Sequence, residues 1–157
     1  MDKIDSQILS ILQKDATISV KEISAKIGLS YTAIYERIRQ LEESKVILYR
    51  ACILDPKKIG LNFFVYCNVV LKQLSKKTLL DFEKAVSKMP EVMEVISLSG
   101  NYDYMLKVVT EDMESYNYFV MNKLSNIPNI GRFHSSIVMA MTKTSTEYPL
   151  PDLKNQR

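Results

Sequence analysis

The chain has a single histidine, His134, and only two cysteines, Cys52 and Cys67, in 157 residues. One imidazole removes most histidine-based catalysis and every multi-histidine metal site. Two cysteines far apart in sequence make neither a disulfide framework nor a zinc site by themselves, so a reducing cytoplasm is the expectation. No apolar run approaches the roughly 18 residues of a membrane span, and the polar opening Met1-Asp2-Lys3-Ile4-Asp5 does not read as a signal peptide. Charge of one sign is scarce too: 21 Lys and Arg stand against 18 Asp and Glu, a net charge of +3. Residues 1–60 carry 10 basic and 8 acidic side chains. There is no polybasic tail that would hold nucleic acid by charge alone, so any DNA-binding face must come from local geometry. What is present is ordinary for a folded protein, 46% hydrophobic and 25% charged residues, at a length that allows one medium domain or two small ones.

The rhythm of the chain changes near Asp55–Asn62. Before it, three short helices are predicted. Ile4, Ile8, Ile11 and Leu12 recur at helical spacing behind capping aspartates, and the pattern stops near Lys14-Asp15. Ser19 with Glu22 makes a capping box for a helix with Val20, Ile23 and Ile27 on its inner stripe. Gly28 ends it, since glycine reaches left-handed angles without a Cβ penalty. Ser30 caps a third helix with Ile34, Ile38 and Leu41 inward. Val46–Leu54 is short and rich in β-formers, and is predicted to be a small extended wing or hairpin. Asp55–Gly60 reads as a linker.

After the linker the order is β-α-β-β-α-β. A strand is expected over Phe63–Lys72, with Val65, Cys67, Val69 and Leu71 on one face and Phe64, Tyr66, Asn68 and Val70 on the other. A helix follows over Ser75–Met89, strands over Val92–Leu98 and Asp103–Thr110 about a Gly100-Asn101 turn, a helix over Glu111–Ser125 and a last strand over Arg132–Thr142. The tail beyond is polar except for Tyr148-Pro149-Leu150-Pro151. Two βαβ units with right-handed crossovers make a ferredoxin-like sheet with helices on one face. Phe64, Tyr66 and Val70 make the other face too apolar to leave wet, which calls for a second subunit. The fold class is therefore α+β: a winged helix-turn-helix domain over 1–54, a linker over 55–62, a ferredoxin-like domain over 63–143 and a tail over 144–157.

Ser19–Leu41, with its Gly28-Leu29-Ser30 turn, fits a helix-turn-helix, whose second helix reads the DNA major groove. Opposite the inner stripe lie Thr32, Tyr35, Glu36 and Arg39. The expected roles are Ser30 and Tyr31 on phosphate at the helix start, Thr32, Tyr35 and Glu36 on base edges, and Arg39 on either. Arg37 at the flank, and Lys45 and Arg50 in the wing, are further backbone contacts. A helical bundle with a solvated outer face has the same periodicity, so spacing alone leaves both readings open.

The blocks Ile4-Asp5-Ser6-Gln7-Ile8-Leu9, Ile18-Ser19, Gly28-Leu29-Ser30, Arg37-Ile38, Leu41-Glu42, Asp55-Pro56, Ile59-Gly60 and Gly100-Asn101-Tyr102-Asp103-Tyr104 resemble, in order, the Lrp/AsnC (feast/famine) transcription regulators. The resemblance runs from Met1 to about Leu150. Thr17 stands where that family usually has arginine, Ser24 where it has alanine, and Lys45 where a glycine precedes the wing. The resemblance implies a transcriptional regulator on double-stranded DNA, acting in the cytoplasm at the nucleoid, with no membrane and no cofactor. It implies a C-terminal domain that dimerises through its sheet, assembles in some members to octamers, and often binds an amino acid at a subunit interface.

For that effector the Gly100–Asp103 turn is the leading candidate. Its backbone N–H groups suit a carboxylate, Asp103 an α-ammonium, and Tyr102 can close the site. Ser135, Ser136 and Asn122 are further candidates. Gly100-Asn101 is equally an ordinary hairpin turn, with Asp103 bonding local backbone. Two other functions deserve weighing. Sirohaem decarboxylases are similar in both halves, but one histidine and few arginines after Gly60 fit a tetrapyrrole enzyme badly. An architectural DNA-compacting protein without an effector is the other alternative.

Overall fold

The computed structural model describes residues 1–150. Among the described residues, Met1–Ile53 with 142–150 form one compact unit, and Leu54–Met141 form a second.

The first unit holds α1 (Lys3–Lys14), α2 (Val20–Ile27) and α3 (Tyr31–Glu43). Each begins where a side chain satisfies otherwise orphaned backbone N–H groups. Asp2 and Asp5 cap α1 reciprocally, Ser19 and Glu22 do the same for α2, and Ser30 Oγ accepts from Ala33 N in α3. Gly28 ends α2 at φ +79°. The inner stripes meet in a core of Ile8, Leu9, Ile23, Ile34, Ile38 and Leu41. The tail contributes Leu150 to the margin of that core, and Gln13 fastens it: its side-chain carbonyl accepts from Tyr148 N at 2.7 Å while its amide donates to Tyr148 O at 3.3 Å. Pro151 and the remainder of the expected 144–157 tail lie outside the described residues.

The wing is a correction. Val46–Leu54 contains no strand among the described residues. Ile47 N donates to Leu41 O, and Ile47 packs at the core margin, while Leu48, Tyr49, Ile53 and Leu54 are exposed. The β-formers keep the chain extended, but no neighbouring strand of this unit takes up their N–H and C=O groups. Lys45, at the family's glycine position, adopts φ +60° despite its Cβ. The expected linker contains a 3₁₀ turn over Pro56–Ile59, capped by Asp55 and closed by Gly60 at φ +83°.

The second unit is a four-stranded antiparallel sheet in the order β2-β3-β1-β4, formed by β1 (Phe63–Leu71), β2 (Val92–Ser97), β3 (Tyr104–Thr110) and β4 (Ile130–Ile137). Helices α4 (Lys76–Val86) and α5 (Met113–Asn122) cover one face. Under them Val65, Cys67, Val69 and Leu71 pack with Tyr104, Leu106, Val108, Phe82, Val86, Tyr116 and Phe119. Both helices are shorter than expected. α4 ends before Met89-Pro90, and α5 gives way to a 3₁₀ turn over Leu124–Asn126. The last strand starts two residues earlier and ends five residues earlier than expected. Gly131 lets it approach β1, for a Cβ there would lie 3.1 Å from Val70 O. Phe64, Tyr66, Asn68 and Val70 point to the other face, level with Met105, Lys107 and Val109 of β3 and with Arg132, His134 and Ser136 of β4. None of these belongs to the helix-covered core.

Candidate nucleic-acid interface and effector turn

The turn between α2 and α3 is built locally. Gly28 N donates to Ser24 O at 2.9 Å, Leu29 N donates to the same carbonyl, and Ser24 Oγ donates to Leu29 O. The serine that replaces the family's alanine thus closes the turn with an extra hydrogen bond. Thr17, another departure, donates from N and Oγ1 to Asp15 Oδ1, which holds the Asp15 carboxyl below its ordinary range. That residue shapes the loop before α2.

On α3, Ile34, Ile38 and Leu41 are buried, while Tyr31, Thr32, Tyr35 and Arg39 are exposed. The Tyr31 and Tyr35 rings stack at 6.2 Å with planes 10° apart, one turn from each other on the first half of the helix. Arg39 Nη2 lies 2.9 Å from Glu36 Oε2, and Nε lies 3.7 Å from Glu43 Oε1. Glu43 escaped the sequence reading. Its signal was available: it stands four residues after Arg39 and eleven after Thr32, on the same side of the helix.

Two of the expected phosphate contacts, Arg37 and Arg50, make ion pairs within the unit. Arg37 Nη1 donates to Asp2 Oδ2 at 2.6 Å and to Asp5 Oδ1 at 2.7 Å, tying α3 to the capping box of α1. The Asp5 N–H, and then Arg37, keep the Asp2 carboxyl below its ordinary range. Arg50 Nη2 sits 3.1 Å from Glu42 Oε1, and Nη1 reaches Ala16 O. Lys45 is exposed and has no ion pair among the described residues. Ser30 spends one oxygen lone pair on the cap and keeps its hydroxyl proton to donate.

The effector candidates do not converge. Gly100 takes φ +142° in the β2–β3 turn, and Asn101 is exposed there. Asp103 fastens that turn to β1: its N donates to Val69 O, and its Oδ2 accepts from Leu71 N at 2.8 Å. Ser136 pairs with Tyr66, five residues away along β1, or roughly 16 Å at strand rise. Ser135 faces the helices, where its Oγ meets Tyr116 OH at 2.6 Å beside Cys67. Asn122 turns its amide back onto Tyr118 O. Among the described residues no group of His, Cys, Asp and Glu is placed to hold a metal ion, and no helix is long and apolar enough to cross a membrane.

Comparison with known proteins accords with this geometry. The AsnC-type helix-turn-helix domain matches residues 1–42, and the Lrp/AsnC ligand binding domain matches residues 65–148. The chain is 37% identical to the transcriptional regulator AzlB of Bacillus subtilis over 98% of both chains. It is 30% identical to the DNA-binding transcriptional activator DecR of Escherichia coli over 96% of this chain and 99% of that one. An AsnC family regulator from Agrobacterium tumefaciens superposes with a TM-score of 0.90 at 37% identity, covering 95% of this chain and 97% of that one. A Neisseria meningitidis regulator, solved as a complex with L-Met, also gives 0.90, at 30% identity over 95% and 96%. The relatives named here are transcriptional regulators. With both domain types matched in order and curated relatives similar along nearly their full length, the chain belongs to the Lrp/AsnC family and is a DNA-binding transcriptional regulator.

Proposed function

We infer that the protein reads operator DNA with α3 and answers to an amino acid. Residues 1–54 serve as the DNA-binding domain, and 63–143 as the effector-binding and dimerising domain. The observation that carries the DNA role is the outward projection of Thr32, Tyr35 and Arg39 from a helix whose opposite stripe is buried and whose start is fixed by the Gly28 turn. In this reading Ser30, Tyr31 and Lys45 hold phosphates, while Thr32, Tyr35 and Glu36 face base edges. Arg37 and Arg50 act by holding the unit together. Half-buried Phe64, Tyr66 and Val70 support a second copy seated on the open sheet face. A two-fold pair of recognition helices then favours a roughly palindromic operator, with half-sites about one helical turn apart.

The amino-acid effector is supported by the relative solved with L-Met and by the Gly100–Asp103 turn. There a positive-φ glycine stands three residues before Asp103, whose Oδ2 already accepts from Leu71 N. Binding at a subunit boundary would let the effector bias assembly, and assembly would set DNA affinity.

The test is duplex retention by alanine variants at the three outward positions. Tyr35→Ala is expected to weaken binding to a duplex selected by the wild-type protein roughly tenfold, the scale of one lost base contact. Folded Thr32→Ala, Tyr35→Ala and Arg39→Ala proteins that all retain DNA like the wild type would sink the reading. Sizing the protein with and without each free amino acid tests the effector half, and an unchanged assembly with all of them refutes it.

A further inference from the structure

The outward face of α3 has a charge balance unusual for a DNA reader. Across Tyr31, Thr32, Tyr35, Glu36, Arg39, Gln40 and Glu43 there is one cation, and it lies between two carboxylates. Both ion pairs are exposed and therefore weak in water. The stacked tyrosines add a flat apolar wall and no charge. The face is thus net negative by one charge, and the guanidinium best placed for DNA is engaged before DNA arrives.

A duplex changes this balance in a sequence-dependent way. Once groove water is displaced, the Glu36 carboxylate must keep a partner or lie desolvated and unpaired, which is costly. The major groove offers it donors only at cytosine N4 and adenine N6; guanine O6 and N7 and thymine O4 are acceptors. Arg39 meets phosphates at every sequence. Where no base donor stands opposite Glu36, the carboxylate holds its guanidinium. Where one does, the base amino group replaces the guanidinium, and Arg39 swings to the backbone.

Resting on the reading that α3 enters the major groove, we propose that Glu36 is a specificity gate, withholding Arg39 from phosphate until a cytosine or adenine amino group takes its carboxylate. Glu36 then contributes to recognition chiefly by weakening binding to the wrong sequence, a part that affinity for the right sequence does not reveal.

The full-length protein is titrated with salt on two probes, a random-sequence duplex and a duplex selected from a random pool by the wild type. The wild-type log–log salt slope should be steeper on the selected duplex by about 0.9 per recognition helix, the signature of one added phosphate contact. Glu36→Gln keeps the side-chain shape at a half-buried position. It should steepen the random-duplex slope by the same amount, raise random-duplex affinity severalfold and cut discrimination about tenfold. Adding Arg39→Ala should return the random-duplex slope to the wild-type value. An unchanged random-duplex slope in Glu36→Gln, or a gain that survives Arg39→Ala, overturns the gate while leaving the groove reading standing. A wild type that retains neither duplex overturns both, and is told apart because no slope exists to compare.

Discussion

The two units differ chiefly in how much apolar core they bury. The sheet unit buries thirteen core side chains, among them Phe82, Tyr104 and Phe119, each nearly inaccessible. Among the described residues the helical unit buries six, all isoleucine or leucine. Small domains bury a smaller fraction of their surface and are correspondingly marginal. The helical unit makes up the difference with local devices: three side-chain N-caps, two of them in reciprocal boxes, the Gly28 cap, the Arg37 link from α3 to α1, and the Gln13 grip on the tail. The sheet unit carries caps of the same kind, Ser75 with Thr78 on α4 and Asp112 on α5, so the comparison teaches that contributions of about 1 kcal/mol each weigh more where the apolar core is smaller.

The strongest way to break this contrast is to empty each core. Phe82→Ala should cost roughly 3–5 kcal/mol, the scale of a buried aromatic lost to a cavity, read by denaturant unfolding and by loss of amide protection in the sheet. Ile34→Ala should cost roughly 2–5 kcal/mol. In a core of six residues that is enough to remove protection from α1, α2 and α3 together. Protected helices in Ile34→Ala would show that the local devices alone hold the unit.

A second pair sharpens the contrast by sign. Gly28 and Lys45 both take positive φ, +79° and +60°. A Cβ at Gly28 would meet nothing within 4 Å, so the cost of Gly28→Ala is backbone strain alone, about 1–2 kcal/mol. Lys45 already bears that strain. Lys45→Gly should stabilise the unit by up to about 1 kcal/mol, the relief of strain being partly offset by the freer unfolded chain. Melting of the two variants in opposite directions from the wild type is the expected result.

Much of this was legible in the sequence because local devices are written locally. Ser19-x-x-Glu22, Gly28 and the alternation from Val65 to Leu71 each name their own structure within a few residues. The misses share a cause. Val46–Leu54 has strand composition, but a strand needs a neighbour, and composition does not supply one. The Arg37–Asp2–Asp5 link spans more than thirty residues, and the Gln13–Tyr148 grip spans 135, distances at which spacing carries no signal. At the effector turn the residue types were legible, but their convergence was not. Whether Ser135 faces the helices or the open sheet turns on a one-residue register, and the register of β4 against β1 is set by Gly131 and by the shift at Val70/Leu71.

The gentlest probe of the contrast is alkaline titration, which acts on polar groups buried in the sheet unit. Desolvation raises the Cys67 thiol to about 11, against the smaller opposing effect of hydrogen bonds with Tyr116 and Ser135. Desolvation likewise raises the Tyr116 phenol to about 12, and raises that of Tyr104 to about 12 with help from its hydrogen bond to Glu83. All three groups are neutral when protonated, so the folded state holds their protons more tightly than the unfolded chain does. The resulting stability is complete below the ordinary thiol and phenol ranges, and is lost as pH rises through them toward 11 and 12. At neutral pH the effect is nil; above about pH 10 the sheet unit should weaken on this account. Tyrosine absorbance and amide protection followed together through the titration give the result. If Tyr104 and Tyr116 ionised in the ordinary phenol range while the sheet stayed protected, the burial argument for this unit would fail.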